Sequence, residues 1–221
     1  MNYETMKGRT AAELLGEMEP PKVGRDRLIV SAIDLCYRNG FHAVGLDQII
    51  AHAGVTKTTF YKHFESRDDL LIAAIKKRDE WELKAWKRAI DEIGGDSMQQ
   101  QLLAIYDLLD AWFNEPIYGG CMFINAASEF PNPSDPIHQA AAQHKIHFRQ
   151  WVDEIAEQAE LEDPKGFTDT YIMLLEGALV LRQVYGQNDA ARKAKQRVIQ
   201  IMSMHGVPLN PPETVKQLSG H

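Results

Sequence analysis

The residues best suited to chemistry on a charged polymer form one continuous run, Thr56 to His63. Lys57 and Lys62 carry positive charges that can neutralise phosphates. The other polar side chains offer hydroxyl, phenol and imidazole groups for phosphates or base edges, and they are Thr56, Thr58, Thr59, Tyr61 and His63. Phe60 and Phe64, four residues apart, can anchor the opposite side of a helix to a core. The alternative is a helical corner at the surface that binds no nucleic acid.

Two short helices are predicted to position this run. The first covers Leu46–His52 and ends at Gly54, where a positive φ costs little only for glycine. Thr56 is a good N-cap for the second, and Val55 and Phe60 occupy the positions of a hydrophobic staple. Two short helices joined by a tight glycine turn are typical of a helix-turn-helix, whose second helix enters the DNA major groove.

Helical periodicity and caps predict seven further helices, and no run alternates with the period of a strand. One follows Gly24 and ends at Asn39–Gly40, and a capping box at Ser66–Asp69 opens a long helix that Gly94–Gly95 closes. The other five run to about Phe113, Phe130, Leu161, Gly186 and Met204. The sequence therefore predicts an all-α protein, with an N-terminal three-helix helix-turn-helix domain and a C-terminal helical domain, nine core helices in all.

Four segments follow from these patterns. Residues 1–23 form an N-terminal extension, with either one short helix near Ala11–Met18 or no order. Residues 24–70 form the predicted DNA-binding domain, and residues 71–205 the predicted effector-binding and dimerisation domain. Residues 206–221 are a proline-containing tail expected to be irregular.

Charge is divided unevenly along the 221-residue chain, whose net charge is −7. From Lys22 to Arg67 there are seven Lys or Arg against four Asp or Glu, a net charge of +3, so the remainder carries −10. A basic segment on an acidic protein suits one surface that meets an anion. Cys36 and Cys121 form no C-x-x-C pair and are expected to be buried thiols. With no apolar stretch long enough for a membrane span, we expect a cytoplasmic protein.

Enzymatic and metal-binding functions find little support in the sequence. The chain contains no Glu-x-x-His, H-E-x-x-H, G-x-S-x-G or phosphate-binding glycine loop. We therefore expect no catalytic residues, cofactor or metal ligands. His144 and His147, with His138 two turns upstream, lack a further ligand in the pattern for a tetrad. A helical enzyme or a metal-responsive sensor without a recognisable motif remains the alternative.

The run from Gly40 to Leu70 resembles the DNA-binding domain of the TetR family, above all in Gly-Val-Thr-Lys-x-Thr-Phe-Tyr-x-His-Phe at positions 54–64. The resemblance implies that the recognition helix contacts DNA through four side chains, Lys57, Thr59, Tyr61 and His63. It also implies a backbone contact from Arg67, where the family usually has lysine. Two further residues depart from the usual pattern, since Gly45 replaces a threonine cap and Ile50 replaces a small alanine. Asp47 places a carboxylate near the expected DNA surface.

Two segments farther along, 120–130 and 174–178, are similar to segments of many such regulators. The resemblance implies an effector pocket, and a dimer interface built from the last two helices. The residues themselves favour a homodimer, because the helix from Pro164 to Gly186 is apolar nearly all round and must be covered on more than one side. The alternative is the central helix of a monomer.

Aromatic and polar residues on helices around the expected cavity are the candidate ligand contacts. They are Tyr106, Trp112, Phe113, Met122, Phe123, Asn125, His144, Phe148, Trp151 and Tyr171. The alternative is that these aromatic residues simply form the core. Taken together, the residues and the resemblance predict a regulator that binds a pseudo-palindromic operator in double-stranded DNA as a homodimer and is released by a small, largely apolar effector. The sequence itself leaves repressor and activator open, and the resemblance implies a repressor, which is the family's commoner mode.

Overall fold

The computed structural model describes residues 10–18 and 21–207. The start of the predicted 1–23 extension and most of the predicted 206–221 tail lie outside the described residues. Within these ranges the chain forms ten α-helices and no strand. They are α1 (Ala11–Leu15), α2 (Gly24–Asn39), α3 (Leu46–Ala53), α4 (Lys57–His63), α5 (Arg67–Gly94), α6 (Met98–Phe113), α7 (Met122–Glu129), α8 (Pro136–Gln158), α9 (Pro164–Tyr185) and α10 (Ala190–Met204). The predicted all-α fold is confirmed, and its nine core helices correspond to α2–α10.

Local capping explains where the helices begin. The Thr56 hydroxyl accepts a hydrogen bond from the Thr59 amide (3.1 Å) at the start of α4. At the start of α5, Ser66 and Asp69 accept from each other's backbone amides, as a capping box requires. Gly54 ends α3 with φ +61°, and a Cβ there would lie 2.6 Å from the Arg27 guanidinium. The turn between α3 and α4 therefore needs glycine for two reasons, its left-handed backbone and the space that Arg27 takes.

One helix end differs from the sequence prediction, and the start of the last helix is set by a side chain that precedes it. Helix α8 ends at Gln158 and not near Leu161, because Glu160 takes φ +57°, outside the helical region, while Leu161 is buried. Helix α10 begins at Ala190, since the Asn188 side chain accepts from the Ala190 amide (2.8 Å) and caps this end from outside the helix.

Helices α2–α4, here called the head, pack around the fully buried side chains of Leu28, Ile49 and Phe60. Helices α6–α10, here called the body, form the larger bundle. Helix α5 has 28 residues and packs against α2 in the head and against α6 and α8 in the body. At 1.5 Å per residue it is about 42 Å long, so one unbroken helix connects head and body.

The short helix α1 docks on the junction of head and body. Thr10 and Glu13 form its capping box, and the Ala12 amide donates to the Glu115 carboxylate (3.1 Å). From α5, the Arg88 guanidinium donates to the carbonyl oxygens of Leu14 (3.3 Å) and Leu15 (2.5 Å). These bonds satisfy exposed backbone groups at both ends of α1 and hold it against α5 and α6.

Candidate nucleic-acid interface

Helix α4 has one buried side and one solvent-facing side. Phe60 is fully buried and its ring centroid lies 5.8 Å from that of Phe64. Six of the seven predicted contact residues in this run are exposed, namely Thr56, Lys57, Thr58, Tyr61, Lys62 and His63. Thr59 is half-buried; its hydroxyl lies 3.0 Å from that of Thr56, and a Cβ at Gly24 would meet its methyl group at 2.9 Å. The helix thus presents hydroxyl, phenol, ammonium and imidazole groups on one exposed surface, while Thr59 packs against the start of α2.

Lys57 and Asp47 form an ion pair across the two short helices, with Nζ 2.9 Å from the carboxylate. The hydrogen bond to Asp47 and the nearby negative charge raise the pKa of Lys57. Both side chains are more than half exposed, so solvent screens the pair and a phosphate or base can compete for Lys57. The Asp47 carboxylate therefore neutralises the first lysine of α4.

Arg67 points toward the protein. Its guanidinium donates to the carbonyl of Val44 (3.0 Å) and to that of Phe41, and lies 3.5 Å from the Asp68 carboxylate. Only 24% of the side chain is exposed. In this arrangement Arg67 bonds the loop between α2 and α3 to the start of α5. The expected contact between the Arg67 side chain and the DNA backbone stays a prediction.

The same loop is held from its other side by Glu129 at the end of α7. The Glu129 carboxylate accepts from the amides of Phe41 (2.8 Å) and His42 (2.6 Å), and the His42 ring nitrogen Nε2 lies 2.8 Å from the Glu129 carbonyl oxygen. We call this set of contacts the Glu129 clamp. It joins the body directly to the head, and the sequence analysis missed it because its partners are separated by 87–88 residues and share no local pattern.

Most of the residues predicted to contact an effector are packed inside the body. Tyr106 and Tyr171 are bonded reciprocally to backbone: Tyr106 Oη donates to the Tyr171 carbonyl (2.9 Å), and Tyr171 Oη to the Leu102 carbonyl (2.7 Å). Burial raises the pKa of both phenols, so they stay protonated donors. Four further predicted contacts are buried core residues: Phe113, Met122, Phe123 and Trp151.

The remaining predicted contacts lie at the edges of this core. Asn125 donates to the Gly119 carbonyl (3.1 Å) and accepts from Gln183 (2.9 Å). Trp112 and Phe148 are half-buried and both pack edge-on against Trp86. Trp112 lines one cavity and Phe123 lines another, and the assignment of the ten residues to a single pocket stays a prediction.

His144 belongs to a polar cluster in the body that also contains Asp79 of α5. His144 Nδ1 lies 2.8 Å from one Asp79 carboxylate oxygen, and His147 Nδ1 lies 2.7 Å from the other. The His144 ring is stacked on Phe123 at 3.5 Å. Burial raises the pKa of Asp79, but the hydrogen bonds from the two histidines outweigh it and hold that pKa below its usual value. Across residues 10–18 and 21–207, no group of three or more His, Cys, Asp or Glu side chains is arranged to hold a metal ion.

Two connected depressions lie where α1, α2 and α5 meet. The first, here called the junction cavity, has a volume of about 560 Å³ and mostly apolar walls that include Tyr37, Trp81 and Trp112. The second, here called the basic groove, has a volume of about 780 Å³ and is lined by five Lys or Arg side chains against two carboxylates. A smaller cavity of about 340 Å³ lies between α7, α8 and α9, beside the Lys145–Glu176 ion pair (2.8 Å).

Helix α9 carries an exposed apolar stripe. Met173, Val180 and Val184 follow helical spacing and are 66%, 47% and 69% exposed. Gly177 lies between them, where an added Cβ would have no atom within 4 Å, and Tyr185 extends the stripe at 76% exposure. An apolar stripe of this extent is typical of a surface that another protein covers. None of the helices in the described part of the chain has the length and apolarity needed to cross a membrane.

The chain matches two family descriptions, one over the head and one over the body. Residues 28–74 match "Bacterial regulatory proteins, tetR family", and residues 99–198 match "Tetracyclin repressor-like, C-terminal domain". The chain belongs to the TetR family. This TetR-family protein is a DNA-binding transcription regulator, and membership in a family of regulators decides against the helical-enzyme alternative.

Individual relatives agree with this assignment. The regulator YjdC of Escherichia coli K12 is 24% identical over 155 residues, which cover 70% of this chain and 81% of YjdC. The transcriptional repressor NemR of the same strain is 23% identical over 120 residues, covering 52% of this chain and 58% of NemR. The structure of SCO4454, a TetR-family regulator from Streptomyces coelicolor, is 28% identical and superposes with a TM-score of 0.74, covering 83% of this chain and 96% of that one.

Proposed function

We propose that this TetR-family regulator is a repressor that binds a pseudo-palindromic operator as a homodimer and is released by a small, largely apolar effector. The observation that carries the DNA-binding role is the exposed side of α4, with six polar or charged side chains facing solvent beside a fully buried Phe60. In this proposal residues 24–70 read DNA and residues 71–205 bind the effector and dimerise. The boundary falls inside the first turn of α5, so the two parts share a continuous helix.

The contact roles on DNA divide between phosphate and base. Lys62 and His63 close α4, whereas Lys57 and Thr58 open it, and the N-terminal residues of a recognition helix are those that contact base edges. We assign Lys57 to base readout and Lys62 to a phosphate. Thr56, Thr58, Thr59, Tyr61 and His63 complete the contact set, and Arg67 contributes a backbone contact at the start of α5.

The apolar stripe on α9 supports the homodimer. A two-fold axis beside Gly177 would bring the stripe against its own copy, and the missing side chain allows two helices to approach closely. A second copy would cover Met173, Val180 and Val184 at once. Such a dimer would place its recognition helices for half-sites roughly 34–40 Å apart, which is about one turn of DNA or slightly more.

Release by an effector requires that the ligand prefer the arrangement that does not bind DNA. Helix α5 and the Glu129 clamp support this coupling, since each connects body contacts directly to the head. A tenfold loss of operator affinity needs only about 1.4 kcal/mol of difference between the two arrangements.

Binding of the protein to its own upstream DNA tests the proposal. Fluorescence anisotropy with that DNA and with a shuffled control of equal length should give tighter binding to the upstream DNA and a salt-dependent affinity for both. A reporter gene behind the same DNA should rise when the regulator is deleted. Equal affinity for the two DNAs would contradict operator recognition, and a reporter that falls on deletion would contradict repression.

A further inference from the structure

The junction cavity is enclosed by parts of the chain that belong to head and body alike. Helix α1 contributes Leu15, α2 contributes Val30, Ile33 and Tyr37, and α5 contributes Trp81. Trp112, at the end of α6, completes the apolar wall. A volume of about 560 Å³ is within the range of small-molecule sites.

Most charged groups at the edge of the junction cavity are already paired. The Asp34 carboxylate accepts from Arg38 (2.7 Å), Arg78 donates to Glu82 (2.7 Å), and Glu115 accepts from the Ala12 amide (3.1 Å). The further carboxylate, Glu17, is exposed, so an anionic ligand group placed here would lose water without gaining a partner. The cavity therefore suits the apolar part of a ligand.

The basic groove adjoins this cavity, and Met18, Val30 and Trp81 line both. Its cationic side chains are Lys22, Arg25, Lys76, Lys77 and Lys84, and its carboxylates are Asp26 and Glu80. Arg25 and Lys77 have carboxylates nearby, Asp26 at 4.0 Å and Glu80 at 3.7 Å.

The other three cations, Lys22, Lys76 and Lys84, have no carboxylate of a described residue within 4.0 Å. Anions are attracted to such a cluster of ammonium groups. The basic groove therefore offers positive charge to an anionic group, which the junction cavity does not.

We propose that the two depressions form one binding site for an amphipathic organic anion, with its apolar body in the junction cavity and its acidic group among Lys22, Lys76 and Lys84. The site lies outside the body interior, and its walls come from α1, from α2 of the head, from α5, and from Trp112 at the end of α6. Binding does not depend on the proposed function, whereas any effect on the operator rests on the effector response proposed above.

DNA is the competing occupant of the basic groove. The groove begins at the start of α2, which packs against α4 through Gly24 and Thr59, so its lysines lie near the DNA-binding surface. The adjoining junction cavity favours the amphipathic anion over DNA, since a phosphate backbone has no apolar group to place between Tyr37, Trp81 and Trp112.

Calorimetric titration of the full chain without DNA tests the site with three probes of equal chain length. Decanoate, decanol and decyltrimethylammonium, each below its micelle concentration, present the same apolar body with a negative, neutral or positive end. We expect one decanoate per chain, weaker binding of decanol and the weakest binding of decyltrimethylammonium. Equal affinity for the three probes, or no saturable decanoate binding, would overturn the proposal.

Variants separate the two ends of the site. Lys76→Glu with Lys84→Glu should weaken decanoate by about tenfold or more and leave decanol nearly unchanged. Lys165→Glu, which reverses the charge of one exposed lysine on α9 outside the groove, is the control and should have little effect. Val30→Trp should weaken decanoate and decanol together by filling the apolar wall, with helical circular dichroism as the check on folding.

Two results would separate ligand binding at this site from DNA binding in the groove and from the effector response at the operator. If the double charge reversal weakens DNA binding but leaves decanoate binding as it was, the groove serves the DNA backbone and the proposal is wrong. If decanoate binds as expected but leaves operator affinity unchanged at saturation, the site stands and the effector response of the proposed function fails at this site.

Discussion

At the scale of single residues, the two lysines of α4 differ in their ion pairing in the protein without DNA. Lys57 is paired with Asp47 across the turn, whereas Lys62 is exposed and has no ion pair with a described residue. Binding through Lys57 therefore includes the loss of one ion pair, and the Asp47 carboxylate remains close to the DNA. A carboxylate near base edges favours the cytosine amino group and is repelled by phosphate, so Asp47 can contribute to sequence preference.

Lys57→Ala and Lys62→Ala should differ in how they affect specificity. We expect Lys57→Ala to cost about 1–3 kcal/mol on operator DNA and to relax the preference at one base pair. Lys62→Ala should weaken binding to all sequences alike and reduce the slope of log affinity against log salt by about one. Anisotropy titrations on operator and shuffled DNA at several salt concentrations measure both. Equal losses on the two DNAs for Lys57→Ala would contradict base readout.

The Asp79 carboxylate should make the free energy of unfolding of this protein depend on pH. Its pKa is lower in the folded protein than the unfolded value of about 3.9, so its contribution to folding is present above that value and is lost as pH falls through the folded pKa. Asp79→Asn should cost about 1–3 kcal/mol at pH 7, because His144 and His147 lose a charged acceptor. The difference in the free energy of unfolding between Asp79→Asn and the wild type should narrow as pH falls from about 5 toward about 3.

Urea unfolding at several pH values measures this gap. Asp91→Asn, an exposed position on the same helix, is the control and should stay close to wild type throughout. A gap for Asp79→Asn that is independent of pH would show that the carboxylate charge contributes nothing.

At the scale of elements, the loop between α2 and α3 is held by side chains from two different helices. Arg67 bonds its carbonyls and Glu129 bonds its amides, so the loop has partners on both sides. Phe41 and Val44 are buried, so a lost partner leaves their backbone groups unsatisfied.

Glu129→Gln should loosen the connection between head and body. The amide keeps one acceptor oxygen where the carboxylate had two, so one of the Phe41 and His42 amides loses its bond. We expect faster hydrogen exchange at these two amides and little change in α9. The neighbouring exposed position, Ser128→Ala, is the control. Unchanged exchange in Glu129→Gln would contradict a role for the clamp in holding this loop.

The elements also show which features a sequence can predict. Thr56, Gly54 and the Ser66–Asp69 capping box act through neighbours within a few residues, and the structure confirms each of them. Asp79 and Glu129 act through partners 65–88 residues away, for which a single sequence contains no pattern.

Aromatic residues at helical spacing gave less information about the candidate site. The same spacing suits a core residue and a pocket wall, and the structure packs Phe113, Phe123 and Tyr171 in the core while it places Trp112 at the junction cavity. The junction cavity itself arises from the docking of α1, whose position depends on Arg88 and Glu115 far along the chain.

At the scale of the whole molecule, the exposed stripe on α9 predicts the assembly. Val184→Lys places a charge in the surface that two copies would bury, and the lysine would lose water without a partner. Light scattering at micromolar concentration should give about twice 25.0 kDa for the wild type and a mass close to 25.0 kDa for the variant. Val23→Lys, an exposed valine on the head, should leave the dimer intact. A wild-type monomer that still binds operator DNA would contradict the dimer.

The way in which the head is attached limits how it can move. A rigid object fastened at a single point can turn in any direction, but one fastened at two separate points turns only about the line that joins them. The entry of α5 and the Glu129 clamp are two such points on the head, and the Gly119 amide, which donates to Tyr37 Oη of α2 (3.0 Å), is a third. Loss of any one of these attachments frees the head to turn about the other two, so ligands of unlike chemistry that each loosen a different attachment can all disturb the position of α4 at the operator.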